Sequence, residues 1–221
     1  MTNRVVITGM GGVSSIGMSV PEIYNSLREG RPGIGQLEFP DITRLKVKTG
    51  GQIKNFDPIK HFDLKQVGRT DRFSQFALLA AKEATANAGL ENCKEEWPEN
   101  AGVILGSSIG GIETINYSYK QVFEKGHNRL HPLTIPKIMN NSATSLISIE
   151  YHIQGPSFTV SSACSSANHA MGIAYETIKS GKSKILITGG SESFLSFGGI
   201  KPWESLRAVS YTHLRAHETS P

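Results

Sequence analysis

The chain has 221 residues, enough for one sizeable domain or for part of a larger one. At 38% hydrophobic and 19% charged it has the composition of an ordinary globular protein, and no apolar run approaches the roughly 20 residues that span a bilayer. A net charge of +4 is mildly basic, which excludes the dense basic stripe of a nucleic-acid binder and leaves a solvated surface or a patch for an acidic partner.

The start, MTNRVVITGMGG, has no charged leader with an apolar stretch and cleavage site behind it, so it reads as a mature N-terminus. Within it, RVVIT (4–8) predicts a buried strand that leaves into the turn-rich GMGGVSSIG. Ser19 and Pro21 mark a helix start, and EIYNSLREG predicts a short helix ending at Gly30. Residues 31–60 are rich in Gly, Pro and Asp and read as loops with short extended pieces. Thr70 is the candidate N-cap of a helix over DRFSQFALLAAKEATANAGL. Phe73, Phe76, Ala77, Ala80 and Ala84 recur there at helical spacing, and Gly89 is the stop. AGVILGSS (101–108) predicts a second buried strand entering a glycine loop. ETINYSYKQVFEKG predicts a helix, and PKIMNNSATSLISIEYHI (136–153) a further one, with Pro136 in its first turn.

The clearest unit follows. SFTVSSA (157–163) predicts a strand and SSANHAMGIAYETIKSG (165–181) a helix. Ala167, Ala170, Met171, Ala174 and Ile178 share one face of that helix, and KILITGG (184–190) predicts a strand again. Strand, helix and strand in such a short span predict a right-handed crossover in a parallel sheet, hence an α/β fold whose small residues let helices press on the sheet.

Cys164 stands where strand hands over to helix. First-turn N–H groups lack internal partners and the helix dipole adds positive potential, so the place favours a thiolate and an oxyanion on a bound acyl group. Ala163, Ser165, Ser166 and Ala167 are all small and leave room for a substrate. Spacing alone leaves two readings open: a nucleophile for acyl transfer, or a buried inert thiol, since free cysteine is among the most buried residue types. Cys93, in the polar run LENCKEEW, reads as structural or incidental. Two cysteines give no disulfide framework, a reducing cytoplasm is expected, and no Cys/His spacing fits zinc, so no metal is predicted. His169 lies five residues past Cys164, about 140° beyond a full helical turn, and is expected to point away into packing. His61, His127, His131 and His152 lie in unrelated elements, so no base is evident.

Four blocks in this order, VVITGMGGVSSIG, GVILGSSIGG, GPSFTVSSACSSANHAMG and ILITGGSES, resemble the β-ketoacyl-acyl-carrier-protein synthases, and among them the synthase II-type enzymes. The resemblance covers residues 1 to about 207. It implies a thiolase-like α/β fold of two similar halves in layered α-β-α-β-α order, with only the first half present. It also implies a decarboxylative Claisen condensation: an acyl group passes from acyl carrier protein to Cys164, a malonyl-carrier loses carbon dioxide, and its carbanion attacks the thioester. The product is a 3-oxoacyl chain two carbons longer, in fatty acid or related polyketide elongation. No cofactor is implied beyond the phosphopantetheine borne by the carrier.

By the same resemblance Ile109 sets the depth of the acyl pocket near a homodimer interface, and Trp203 is a further substrate-binding position. Thr134 stands where relatives often carry a bulky aromatic, a departure that widens the pocket or changes chain-length preference. The Cys164 N–H resembles half of an oxyanion hole. Lys65, Arg69, Arg72 and Arg207 resemble the basic positions that dock the acidic carrier; an ordinary solvated face is the plainer reading of each. Two histidines, in motifs resembling HGTGT and GHxxxA, belong to the second half of such enzymes and lie outside this chain, which accounts for the missing base and implies an inactive fragment.

The ending YTHLRAHETSP does not continue the family pattern. Residues 208–221 are expected to be a foreign or divergent tail, so His213 and His217 are not recruited to the site. The alternative function is a non-catalytic partner like the chain-length factors of polyketide systems, which resemble the same fold but usually lack the cysteine. A degradative thiolase or a cysteine protease fits the motifs less well.

Overall fold

The computed structural model describes residues 3–90 and 99–206. Helix α1 (Val20–Arg28) begins where Ser19 and Pro21 predict. The Ser19 hydroxyl accepts the Glu22 N–H, and Pro21 sits in the first turn, where a missing N–H costs nothing. The loop-rich stretch after it contains a two-residue ribbon, β1 (Gly35–Gln36) antiparallel to β2 (Thr49–Gly50). Helix α2 (Leu64–Arg69), which the sequence pattern did not mark, is started by a capping box between Asp63 and Gln66.

Helix α3 (Arg72–Asn87) is capped by Asp71 and not by Thr70. Thr70 closes α2 instead, its hydroxyl donating to the Gln66 carbonyl at 2.8 Å. A carboxylate can serve more donors than a hydroxyl. Asp71 uses this: one oxygen accepts the Phe73 N–H, and the other accepts the Thr114 N–H and hydroxyl at 2.8 and 2.6 Å. Phe73, Phe76 and Ala77 face the core as predicted, while Ala80 and Ala84 are only half-buried. Main chain covers that second face, where Gly9 and Gly11 lie against the Ala84 and Ala80 carbonyls too closely to admit a Cβ.

Strand β3 (Ala101–Gly106) is the middle strand of a parallel sheet and is buried along its whole length, as a strand covered on both faces must be. After it come α4 (Ile112–Tyr119), which runs into a π-turn, then α5 (Thr134–Ile138) and α6 (Ser142–Glu150). The single helix expected over 136–153 is therefore two. Met139 is extended between them, and the Asn140 amide donates to the Ser107 and Ser108 carbonyls at 3.3 Å each. Asn140 and Asn141 favour such local bonding over helix, and the tie to the loop after β3 fixes the break.

Strands β4 (Ser157–Val160) and β5 (Ile185–Gly190) flank β3 in the order β4-β3-β5, both parallel to it. Helix α7 (Ser166–Lys179) makes the crossover between them. Alternation along β3 sorts its side chains: Val103 and Leu105 join Phe73, Phe76 and Ile147 in the main core, and Ile104 packs on Ala170 and Ala174 of α7. Met171, expected on that face, is 44% exposed. The result is three layers, with α3 and α6 on one side of the sheet and α7 on the other. Helix α8 (Phe197–Ser205) closes the described chain and shares a separate small cluster, Leu37, Leu45, Val47 and Ile200, with the ribbon segment.

Residues 4–8 do not form the predicted strand. They take no ladder partner among the described residues, and Val6 and Ile7 are 55% and 86% exposed. A β-branched run becomes a strand only when a neighbouring edge takes its hydrogen bonds, and β5 spends its described pairing on β3. Among the described residues no helix is long and apolar enough to cross a membrane.

Candidate functional site

The carboxyl ends of β3, β4 and β5 meet at Gly106, Val160 and Gly190, the place where open parallel sheets present their ligands. Two glycines bring α7 down onto them. A Cβ on Gly106 would lie 2.3 Å from the Ala167 nitrogen, and one on Gly190 would lie 2.7 Å from the Ala167 Cβ. The small residues around Cys164 thus serve backbone approach, as their sequence suggests.

Between Val160 and Ser166 the chain turns sharply. Ala163 adopts φ of 52°, a left-handed conformation that a non-glycine residue takes at some cost. Buried Ser166 ties the turn, its Oγ accepting the Ser162 N–H at 2.9 Å and donating to the Ala163 carbonyl at 2.7 Å. Cys164 is carried at the apex and is exposed, not buried. No side chain caps α7, so its start remains open toward a bound group.

Cys164, Ile109 and Trp203 line one cavity of about 570 Å³, with Leu37, Val47 and Ile200 among its apolar walls. Thr134 is not among the lining residues. It begins α5, and its hydroxyl donates to the His131 carbonyl at 2.7 Å. His169 lines a different groove and is exposed rather than packed, its Nδ1 2.6 Å from the Ser162 Oγ. Among the described residues the cavity lining contains no histidine, and no three His, Cys, Asp or Glu side chains converge as metal ligands.

Glu192, two residues past the end of β5, is a site residue that pattern reading missed. Its Oε1 accepts the Ser107 hydroxyl at 2.8 Å, the Ser108 N–H, and the Ile109 N–H at 3.3 Å. That carboxylate fixes the loop that presents Ile109 to the cavity. The only local signal was an acid two residues after a strand-ending glycine pair, in GGSES. Glu113 lies nearby in α4, where it accepts the Ser193 hydroxyl at 2.7 Å. Burial pushes its carboxyl above the usual range, against the opposing pull of Ser193 and Arg72.

The basic positions separate. Lys65 and Arg69 are exposed, one helical turn apart on α2. Lys137, not anticipated, reaches the Gly68 carbonyl at 3.5 Å beside them. Arg72 is half-buried, with its guanidinium 5.6 and 5.8 Å from the Phe56 and Phe76 ring centroids, so it is engaged in packing. Arg207, Cys93, His213, His217 and the tail 208–221 lie outside the described residues.

Comparison with known proteins agrees with this geometry. The chain is 38% identical over 210 residues to nodulation protein E of Rhizobium sp. (strain N33), covering 95% of this chain and 52% of that protein. It is 35% identical over 207 residues to 3-oxoacyl-[acyl-carrier-protein] synthase 2 of Staphylococcus aureus (strain COL), covering 94% and 50%. The chain thus spans about half the length of the curated relatives it matches. Its fold superposes on the ishigamide ketosynthase/chain length factor with a TM-score of 0.85 at 26% identity, over 96% of this chain and 52% of that one. The thiolase-like fold of ketosynthases is therefore present here over its N-terminal half. Residues 2–220 match the family model for the β-ketoacyl synthase N-terminal domain, and the chain belongs to that family.

Proposed function

We propose that Cys164 is the acyl acceptor of a 3-oxoacyl-carrier synthase that works by decarboxylative Claisen condensation. The observation that carries this reading is an exposed thiol at the open start of α7, facing an apolar-walled cavity of about 570 Å³. The Cys164 thiolate attacks the thioester carbonyl of an acyl-phosphopantetheine, the N–H groups at the start of α7 hold the oxyanion, and the carrier thiolate leaves and takes up the proton. Loss of carbon dioxide from a malonyl thioester then gives a carbanion. It attacks the Cys164 thioester, and the 3-oxoacyl product departs as Cys164 regains its thiolate. Ketosynthases of this family need no metal or free cofactor. Ile109 and Trp203 contact the acyl chain. Thr134, which is not among the lining residues, acts on chain length indirectly, through α5.

The carrier docks on the cations of α2, with Lys65 and Arg69 joined by Lys137; its charge contacts govern on-rate and salt dependence most. Arg72 contributes there mainly by holding Phe56 and Phe76. A homodimer through the exposed aromatics Tyr117, Tyr119 and Phe123 of α4 and its π-turn, in a cytoplasmic setting, completes the reading. Retention of Cys164 sets it against a chain-length-factor role.

The test is peptide mass mapping after incubation with an acyl-phosphopantetheine thioester. A single acyl adduct on Cys164, absent from Cys164→Ala, is expected; an unmodified Cys164 overturns the assignment. Elongation by the 221-residue chain alone is expected to be absent, because no proton-handling histidine lines the cavity among the described residues, and robust turnover would contradict this. The family match also runs across residues 208–220. Continuous native coding sequence for the tail overturns the expectation that it is foreign.

A further inference from the structure

One wall of the Cys164 cavity is built from two segments more than 150 residues apart, and Glu204 leads the links between them. Glu204 of α8 is only 9% exposed. Its Oε1 accepts the N–H groups of Lys46 and Val47 at 2.6 and 2.8 Å, and its Oε2 accepts Lys201 Nζ at 2.9 Å. Lys201 Nζ also donates to the Arg44 carbonyl at 3.2 Å, and the Arg44 guanidinium sits 4.6 Å from the Phe197 ring centroid. Two successive backbone donors on a nearly buried carboxylate are charge-assisted bonds, stronger than their neutral counterparts.

These links join the Lys120–Asp41 ion pair, at 2.7 Å, in tying the segment to the rest of the chain. The β1–β2 ribbon has two ladder pairs, and a short two-stranded ribbon is marginal in water by itself. Its apolar contacts are the small cluster of Leu37, Leu45, Val47 and Ile200, with Phe39, Ile42, Leu195 and Phe197 packed against it, separate from the main core. Leu37, Val47 and Ile200 are also walls of the Cys164 cavity, as is Trp203 beside Glu204.

We propose that Glu204 is a positioning residue that clamps the 35–50 segment to α8, and that this clamp sets the length of the aliphatic group the Cys164 cavity accepts. The inference rests on the reading of Cys164 as an acyl acceptor. With the clamp intact, Leu37 and Val47 stand against Ile200 and close the end of the cavity. Without it, the Lys46 and Val47 N–H groups lose their acceptor, the ribbon recedes, and longer chains enter. Glu204 makes no contact with the reacting atoms, so acylation by a short group proceeds at its original rate.

Alkylation of Cys164 in the full 221-residue chain tests this. N-ethylmaleimide and N-decylmaleimide are compared on the wild-type, Glu204→Gln and Glu204→Ala proteins, with rates read by peptide mass mapping so that Cys93 is scored separately. The decyl-to-ethyl rate ratio at Cys164 is expected to rise at least about fivefold in Glu204→Ala, with the ethyl rate unchanged, because each methylene that gains a buried place adds to the transfer energy. Glu204→Gln, which keeps an acceptor oxygen, is expected to fall between the two. A ratio that stays within about twofold of wild type or falls, in variants that retain native far-UV circular dichroism, overturns the proposal. Hydrogen exchange at the Lys46 and Val47 amides gives an independent reading, expected to be about tenfold faster in Glu204→Ala and intermediate in Glu204→Gln, with no change at Ile104. Unchanged exchange at both amides overturns the clamp, including where one variant fails to fold. A Cys164 inert to both reagents sinks the acyl-acceptor reading instead and leaves exchange to decide the clamp.

Discussion

Ala163 concentrates the strain of the site in one residue. Its φ of 52° turns the chain so that Cys164 stands at the apex while Ser166 reaches back to tie both ends of the turn. For an L-residue that conformation costs about 1–2 kcal/mol, and for a β-branched one considerably more. Ala163→Val is expected to lower stability by about 2 kcal/mol or more, while Ala163→Gly stays within about 1 kcal/mol of wild type, since relief of strain is offset by extra freedom in the unfolded chain. Urea midpoints of the two variants check this; a Val variant as stable as the Gly variant shows that the turn relaxes. Ala163 was read from sequence only as small. Its backbone conformation follows from the closure of the turn by Ser162 and Ser166 and is not a property of alanine.

At the scale of elements, the junction of α7 with the sheet decides where Cys164 sits. Gly106 and Gly190 end their strands with no side chain, and the first turn of α7 occupies the space. A methyl on Gly106 meets the Ser166 and Ala167 backbone, which cannot move aside as a flexible side-chain tip can. Gly106→Ala is therefore expected to destabilise by about 2–3 kcal/mol and to slow alkylation of Cys164 by a short maleimide as α7 shifts. Thermal unfolding with a labelling time course reads both, and an unchanged labelling rate means that the helix does not position the thiol. The crossover itself was legible, because strand, helix and strand lie close in sequence and each has its own periodicity. The break between α5 and α6 was not, because it depends on Asn140 reaching a loop more than thirty residues away.

Across the whole molecule, two carboxylates tune stability in opposite senses. Burial raises the Glu113 carboxyl above its usual range, so between that range and its folded value the native state holds more protons than the unfolded chain. Its contribution is full in acid and is lost as pH rises through the folded value. Glu113→Gln is expected to be more stable than wild type at neutral pH, the gap closing as pH falls below the ordinary carboxylate range. The Val47 N–H, then Lys201 and the Lys46 N–H, lower the Glu204 carboxyl, so its contribution is present at neutral pH and is lost as pH falls through the depressed folded value. Melting curves from acid to neutral pH on Glu113→Gln and Glu204→Gln test the two signs together; parallel curves contradict both. The outer face of α7, with Met171, Ile173 and Tyr175 exposed, and the segment holding Val6 and Ile7 present apolar surface of the kind that recruits partners. Strong binding of an apolar fluorescent dye by the native chain is the expected outcome, and its absence shows that these faces are already covered by self-association or by residues outside those described.

Sequence by itself determined what adjacent residues can settle. Periodicity placed β3, α3 and the β4–α7–β5 crossover, capping placed α1, and the strand-to-helix turn singled out Cys164. Four ordered motifs identified the family. Tertiary structure alone decided which distant groups meet. It left residues 4–8 without a ladder partner among the described residues, kept Thr134 off the cavity lining, and turned Arg72 onto two phenylalanine rings. It also gave Glu192 and Glu204 their backbone donors, 83–84 and 157–158 residues away. The physical reason is common to all of these. A carboxylate, a guanidinium or an extended edge takes its role from whichever partner folding brings within hydrogen-bond or van der Waals reach, and that partner leaves no mark on the neighbouring sequence.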